Sequence, residues 1–76
     1  MRELIEFVAR ELVDHPEDVK VTQTRGSQVT VLQLSVAPDD KGWVIGKRGR
    51  VANAMRSLLR VAAANEGRRR AVLEIL

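Results

Sequence analysis

A chain of 76 residues holds one small domain with one modest core, read here as a single domain over residues 1–76. With no cysteine it has neither a disulfide staple nor a cysteine-built metal site, and neither metal nor cofactor is expected. The net charge of +3 is unevenly spread: residues 1–40 carry four Lys/Arg and eight Asp/Glu, a net of −4, whereas residues 41–70 carry nine Lys/Arg and one acid, a net of +8.

A basic block inside a small domain is the usual footprint of a polyanion partner. No apolar run is long enough to cross a membrane, and the acid-bearing N-terminal stretch has no signal-type apolar core, so the expected location is the reducing cytoplasm.

Residues 2–13 read as an amphipathic helix, with Leu4, Ile5, Val8 and Leu12 at helical spacing and Phe7 and Val13 beside them. Phe7 is assigned to the core. Pro16 ends the helix, since the residue before a proline is biased away from the helical region. His15, the sole histidine, is read as an exposed turn residue.

Residues 18–24 alternate Val19, Val21 and Gln23 against Lys20, Thr22 and Thr24, the pattern of a half-buried strand. After the turn Arg25-Gly26-Ser27, residues 28–36 resume as a second strand, and the two form an antiparallel hairpin. Leu32, Leu34 and Val36 are assigned to the face that meets the helices.

Ala37-Pro38-Asp39-Asp40 opens a short helix, with Asp39 or Asp40 as its cap. It must stop at Gly46-Lys47-Arg48-Gly49. Beyond this loop Val51, Ala52, Met55, Leu58, Leu59, Ala62 and Ala63 form a 3.6-period stripe, which leaves Arg50, Arg56 and Arg60 on an exposed face. Gly67 is placed as a left-handed helix end, Arg68-Arg69-Arg70 as a basic connection, and Ala71 to Leu76 as a last strand. The order is αββααβ, a two-layer α+β domain with helices on one face of a three-stranded sheet.

The glycine-bracketed loop carries the chemistry. Glycines let a backbone approach a ligand closely, and a helix start presents free N–H groups and partial positive charge that favour phosphate. Lys47 and Arg48 project from the loop to neutralise phosphates, and Arg50 adds to the field. Val44, Ile45 and Val51, with Leu34 and Val36 of the second strand, are candidates for an apolar floor beside the loop or for the core, Ile45 and Leu34 reading first as core. Lys41 and Trp43, just upstream, complete the candidate set. Only two aromatics exist, Phe7 and Trp43, so a platform of stacking rings is disfavoured.

Val44-Ile45-Gly46-Lys47-Arg48-Gly49, set between a short and a long helix, resembles the signature of a KH domain. The element order resembles its type II form. The Val-Ala-Pro-Asp-Asp lead-in and the run from Gly49 to Arg56 are similar to the small single-KH bacterial proteins of the KhpA (YlqC-like) family. In one respect the sequence departs from the KH pattern: Ala52 stands where a large aliphatic residue is usual. The resemblance implies a cytoplasmic protein that clamps single-stranded RNA at the loop, as an RNA chaperone or post-transcriptional regulator. It further implies a homodimer, or a heterodimer with a KhpB/Jag-type RNA-binding protein.

Two other readings stay open: a KH-fold protein-interaction module that has given up RNA, and a single-stranded DNA binder. An enzyme is disfavoured. Gly42 to Gly46 leaves three residues between glycines where a phosphate-binding P-loop needs four, and the lone His15 sits far from the loop.

Overall fold

A computed structural model describes residues 1–67 and 70–76. Its frame is the hairpin of β1 (Lys20–Arg25) and β2 (Val29–Ser35), paired antiparallel from Lys20↔Ser35 to Arg25↔Thr30 and closed by Gly26 N–H donating to the Val29 carbonyl at 2.7 Å. Along β2, Thr30, Leu32 and Leu34 are buried and the residues between them half-buried. Strict alternation of this kind means that one face of the sheet is covered and the other faces water.

The cover is supplied by helices α1 (Arg2–Leu12), α2 (Lys41–Ile45) and α3 (Arg50–Asn65). β3 (Arg70–Ile75) pairs with β2 in parallel, from Val29↔Arg70 to Leu34↔Ile75. A parallel partner requires a crossover, and the α2–α3 unit is that crossover. The sheet order is β1-β2-β3, so β2 is central and β3 an edge. Helical turns at Pro16–Asp18, Pro38–Asp40 and Lys47–Gly49 join the elements.

The core gathers Ile5 and Ala9 of α1, Val19 before β1, Leu32 and Leu34 of β2, Val36, Val44 of α2, Met55 and Leu59 of α3, and Leu73 of β3. Ala52 and Ala63 are buried on the same side of α3. Gly67 takes φ 74°, the left-handed end expected of it. Among the described residues no helix is long and apolar enough to cross a membrane.

Four expectations need correction. Phe7 is not core; it is 65% exposed, because Ile5 and Ala9 define the buried line of α1 and position 7 lies on the opposite side of the helix. Val44 and Ile45 do not share a role: Val44 is fully buried and Ile45 39% exposed, since a helix of five residues turns only one of two neighbours inward. Neither aspartate caps a helix. Asp40 is buried and accepts instead from backbone N–H groups of the chain leaving α1, His15 at 2.9 Å and Asp14 at 3.3 Å. Leu34 and Val36 meet the helices in the core, as assigned, and only their alternative place as a ligand floor falls. β2 is the central strand beneath the helices, so these residues offer no open floor for a ligand.

Candidate nucleic-acid interface

The loop between α2 and α3 has a backbone that its sequence requires. Gly46 sits at φ 76°, ψ 171°, a region that residues with a Cβ essentially do not enter. A Cβ there would lie 2.5 Å from Val51 Cγ2 and 2.9 Å from Val51 N. Gly46 is therefore pressed against the first turn of α3, and its absent side chain is what lets the loop close. Its N–H donates to the Gly42 carbonyl at 2.9 Å, ending α2.

Gly49 is different. Its φ of 74° is also left-handed, but a Cβ there would meet nothing nearer than Asn53 Nδ2 at 3.8 Å. The space before Gly49 is open. Its N–H turns inward to the Gly46 carbonyl at 3.1 Å, and the Arg50 N–H donates to the Lys47 carbonyl, so the turn is closed by its own backbone. Between the glycines Arg48 is left-handed as well, at φ 59°, the one described non-glycine residue with positive φ. Both Lys47 and Arg48 are thrust outward and exposed. With Arg50 they line a shallow hollow at the start of α3, where the helix dipole adds positive potential.

From this hollow a polar line runs along α3. Gly49, Asn53, Arg56 and Arg60 recur at intervals of four, three and four residues, which places them on one helical face over ~16 Å. Asn53 Oδ1 accepts from Arg56 Nη1 at 3.2 Å, and Arg60 Nη2 donates to Ser57 Oγ at 2.9 Å. Arg56 Nη2 reaches across to the Leu73 carbonyl at 3.5 Å and ties α3 to the edge strand. Between helix and strand lies a second hollow, lined by Arg56, Arg60, Arg70, Ala71, Val72 and Leu73. Sequence reasoning left Asn53, Arg56 and Arg60 outside the candidate set, although their spacing from Gly49 was readable. It also set the groove against β2, whereas the open hollow adjoins β3.

The remaining candidates are spread around the loop. Lys41 is exposed at the far end of α2, about 6 Å along the axis from Ile45. Trp43 is 57% exposed on α2, and Ile45 is the apolar side chain open to solvent next to Gly46. Val44 supports the loop from within the core. Arg70 opens β3 and is exposed; Arg68 and Arg69, read with it as a basic connection, lie outside the described residues.

Electrostatics separate these cations from the arginines of α1 and β1. Arg2 and Arg10 pair with Glu6 at 3.2 and 3.3 Å, and Arg25 with Glu66 at 3.7 Å. Among the described residues no ion pair engages Lys41, Lys47, Arg48, Arg50, Arg56, Arg60 or Arg70. Nor, among them, does any cluster of three or more His, Asp or Glu form that could hold a metal ion.

An αββααβ domain whose Val-Ile-Gly-Lys-Arg-Gly loop joins a short helix to a long one is a type II KH domain. The family model described as KhpA/KhpB, KH domain matches residues 2–75, and the chain belongs to that family. RNA-binding protein KhpA of Clostridium perfringens is 46% identical over 76 residues, covering both chains completely. The protein of the same name from Treponema pallidum is 50% identical over 74 residues, 97% of this chain and 91% of the relative. That of Aquifex aeolicus is 42% identical over 76 residues, all of this chain and 95% of the relative. No solved structure matches the chain.

Proposed function

We propose that this chain binds single-stranded RNA in the cytoplasm, gripping the phosphate backbone at Gly46–Gly49, and that it serves as an RNA chaperone or post-transcriptional regulator. The observation that carries this reading is the loop itself: three cations within four residues, Lys47, Arg48 and Arg50, without carboxylate partners among the described residues, around a glycine with open space before it. The names of the relatives, RNA-binding protein KhpA, support the same reading. KH loops clamp about four nucleotides. Here phosphates would meet Lys47, Arg48 and Arg50, and the strand would continue along Asn53, Arg56 and Arg60 with Arg70 facing it from β3. Ile45 and Val72 offer apolar surface for bases. The protein would act by binding, with no catalytic step.

The test is a fluorescence-anisotropy titration with labelled oligouridine. Replacing Lys47 and Arg48 by Asp lowers affinity at least about hundredfold, because two attractive contacts become repulsive. The helical circular dichroism stays unchanged. With roughly three phosphates contacted, log affinity falls with log salt at a slope of about −2. Undiminished affinity in the double variant defeats the reading. A parallel titration with oligodeoxyuridine decides between RNA and single-stranded DNA. Failure to bind either, in a folded protein, favours the interaction module.

A module with so few contacts gains from being paired, since a second site raises the effective concentration. Phe7 and Val61 are 65% and 61% exposed on the outer sides of α1 and α3, with Leu58 at 43%. The Met1 amino group lies 3.4 Å from the Glu66 carboxylate, which brings the start of α1 against the end of α3. These exposed apolar side chains support association with a second KH chain, either another copy or a KhpB/Jag-type protein. Sedimentation of the protein alone and mixed with such a partner distinguishes the two. A monomer in both conditions overturns the proposal.

A further inference from the structure

Asp40 stands immediately before α2 and is 1% exposed. An aspartate in that position would ordinarily cap the helix, yet it makes no cap hydrogen bond. Both oxygens face the chain leaving α1. Oδ2 accepts the His15 N–H at 2.9 Å and Oδ1 the Asp14 N–H at 3.3 Å, bonds that span 25 and 26 residues of sequence. Hydrogen bonds to a charged group are stronger than neutral ones, and burial makes their loss costlier.

α2 has five residues and buries only Val44; Lys41, Gly42, Trp43 and Ile45 are exposed. Its far end is held by Gly46 pressed on Val51 of α3. The hydrogen bonds of Asp40 hold its start, and with it the direction in which the helix leads into Gly46.

We propose that Asp40 is a positioning residue for the phosphate-binding loop. Its carboxylate latches α2 to the segment after α1 and so sets where Gly46–Gly49 emerges relative to α3. The RNA half of this proposal rests on the reading of that loop as the phosphate clamp; the structural half does not.

The experiment compares Asp40→Ala, Asp40→Asn and, as a core-weakened control, Ile5→Val. Two readouts are taken below the unfolding temperature of every variant: the backbone amide resonances of Gly46 and Gly49 without RNA, and the affinity for labelled oligouridine. Asp40→Ala shifts both glycine resonances and lowers affinity about tenfold, the equivalent of about 1.4 kcal/mol. Asp40→Asn, which keeps the shape and one carbonyl acceptor, recovers part of both. Ile5→Val loses stability but moves neither readout.

A folded Asp40→Ala with unshifted Gly46 and Gly49 resonances overturns the proposal, as does a shift that Ile5→Val reproduces. If Asp40→Ala does not fold, Asp40→Asn decides: shifted glycine resonances support the latch and unshifted ones overturn it. Should the unaltered protein fail to bind RNA, the loop reading falls, and the resonances still decide whether Asp40 positions the loop.

Discussion

Arg2 and Arg10 on α1 flank Glu6 and close onto it at 3.2 and 3.3 Å, whereas among the described residues Arg50, Arg56 and Arg60 on α3 form no ion pair. The side chains are chemically the same; their surroundings differ. On α1 one acid, Glu6, four residues from each, engages both cations within their own helix. On α3 the three arginines turn to Asn53, Ser57 and a strand carbonyl or to solvent, and their charge is not cancelled. A polyanion approaching the molecule meets the field of α3 and the loop, while α1 offers it a nearly neutral surface. Net charge alone, a modest +3, would have concealed this.

The comparison can be tested most severely at the glycine that the α3 side depends on. Gly46→Ala places a methyl group 2.5 Å from Val51 Cγ2 at a φ that alanine resists, so it should cost about 3 kcal/mol from overpacking and backbone strain together. That corresponds to a fall in Tm of about 10 °C or more, read by circular dichroism. Gly49→Ala, with a left-handed φ to bear but a Cβ that enters open space, should cost less stability, while lowering RNA affinity by narrowing the approach. Equal losses of stability at the two glycines would break the distinction drawn between them.

Next in size is a matched exchange of charge. Arg56→Ala with Arg60→Ala should weaken RNA binding about tenfold and flatten the salt slope by about 1, as one or two phosphate contacts are lost. Arg2→Ala with Arg10→Ala should leave affinity within about twofold, because those cations are already paired. If the α1 pair matters as much as the α3 pair, the unpaired state of the α3 arginines is not what directs the ligand. Smallest is Thr30→Val. The Thr30 hydroxyl is fully buried without a hydrogen-bond partner among the described residues, so an isosteric methyl should raise stability by about 1 kcal/mol and leave RNA affinity unchanged.

Much of the fold was readable because each long element has its own period. β2 alternates, α3 repeats every three to four residues, and the turn signals fall between them. The Gly46–Gly49 loop was readable for a related reason, since two glycines around two cations between helical runs admit few other conformations.

What escaped is what local pattern does not contain. α2 is too short for periodicity to tell Val44 from Ile45. The apolar stripe of α1 is wide enough to include Phe7 on paper, and only the packing of Ala9 against the sheet fixes the rotation. The groove was set against β2 because strand order across a sheet is a property of the crossover. Once β3 takes the outer position, β2 is covered and the open wall changes strand. Asp40 looked like a cap because its true partners lie 25 and 26 residues earlier.

The contact between Gly46 and Val51 has a consequence for how such chains diverge. Folding requires the first glycine, whatever the loop touches. The two cations are free to drift once no ligand selects for them, whereas the left-handed φ of the second glycine still favours glycine there. A descendant that abandoned nucleic acid would therefore keep Gly46 long after losing Lys47 and Arg48. In a distant homologue, a retained first glycine testifies only to the fold; the cations testify to the ligand.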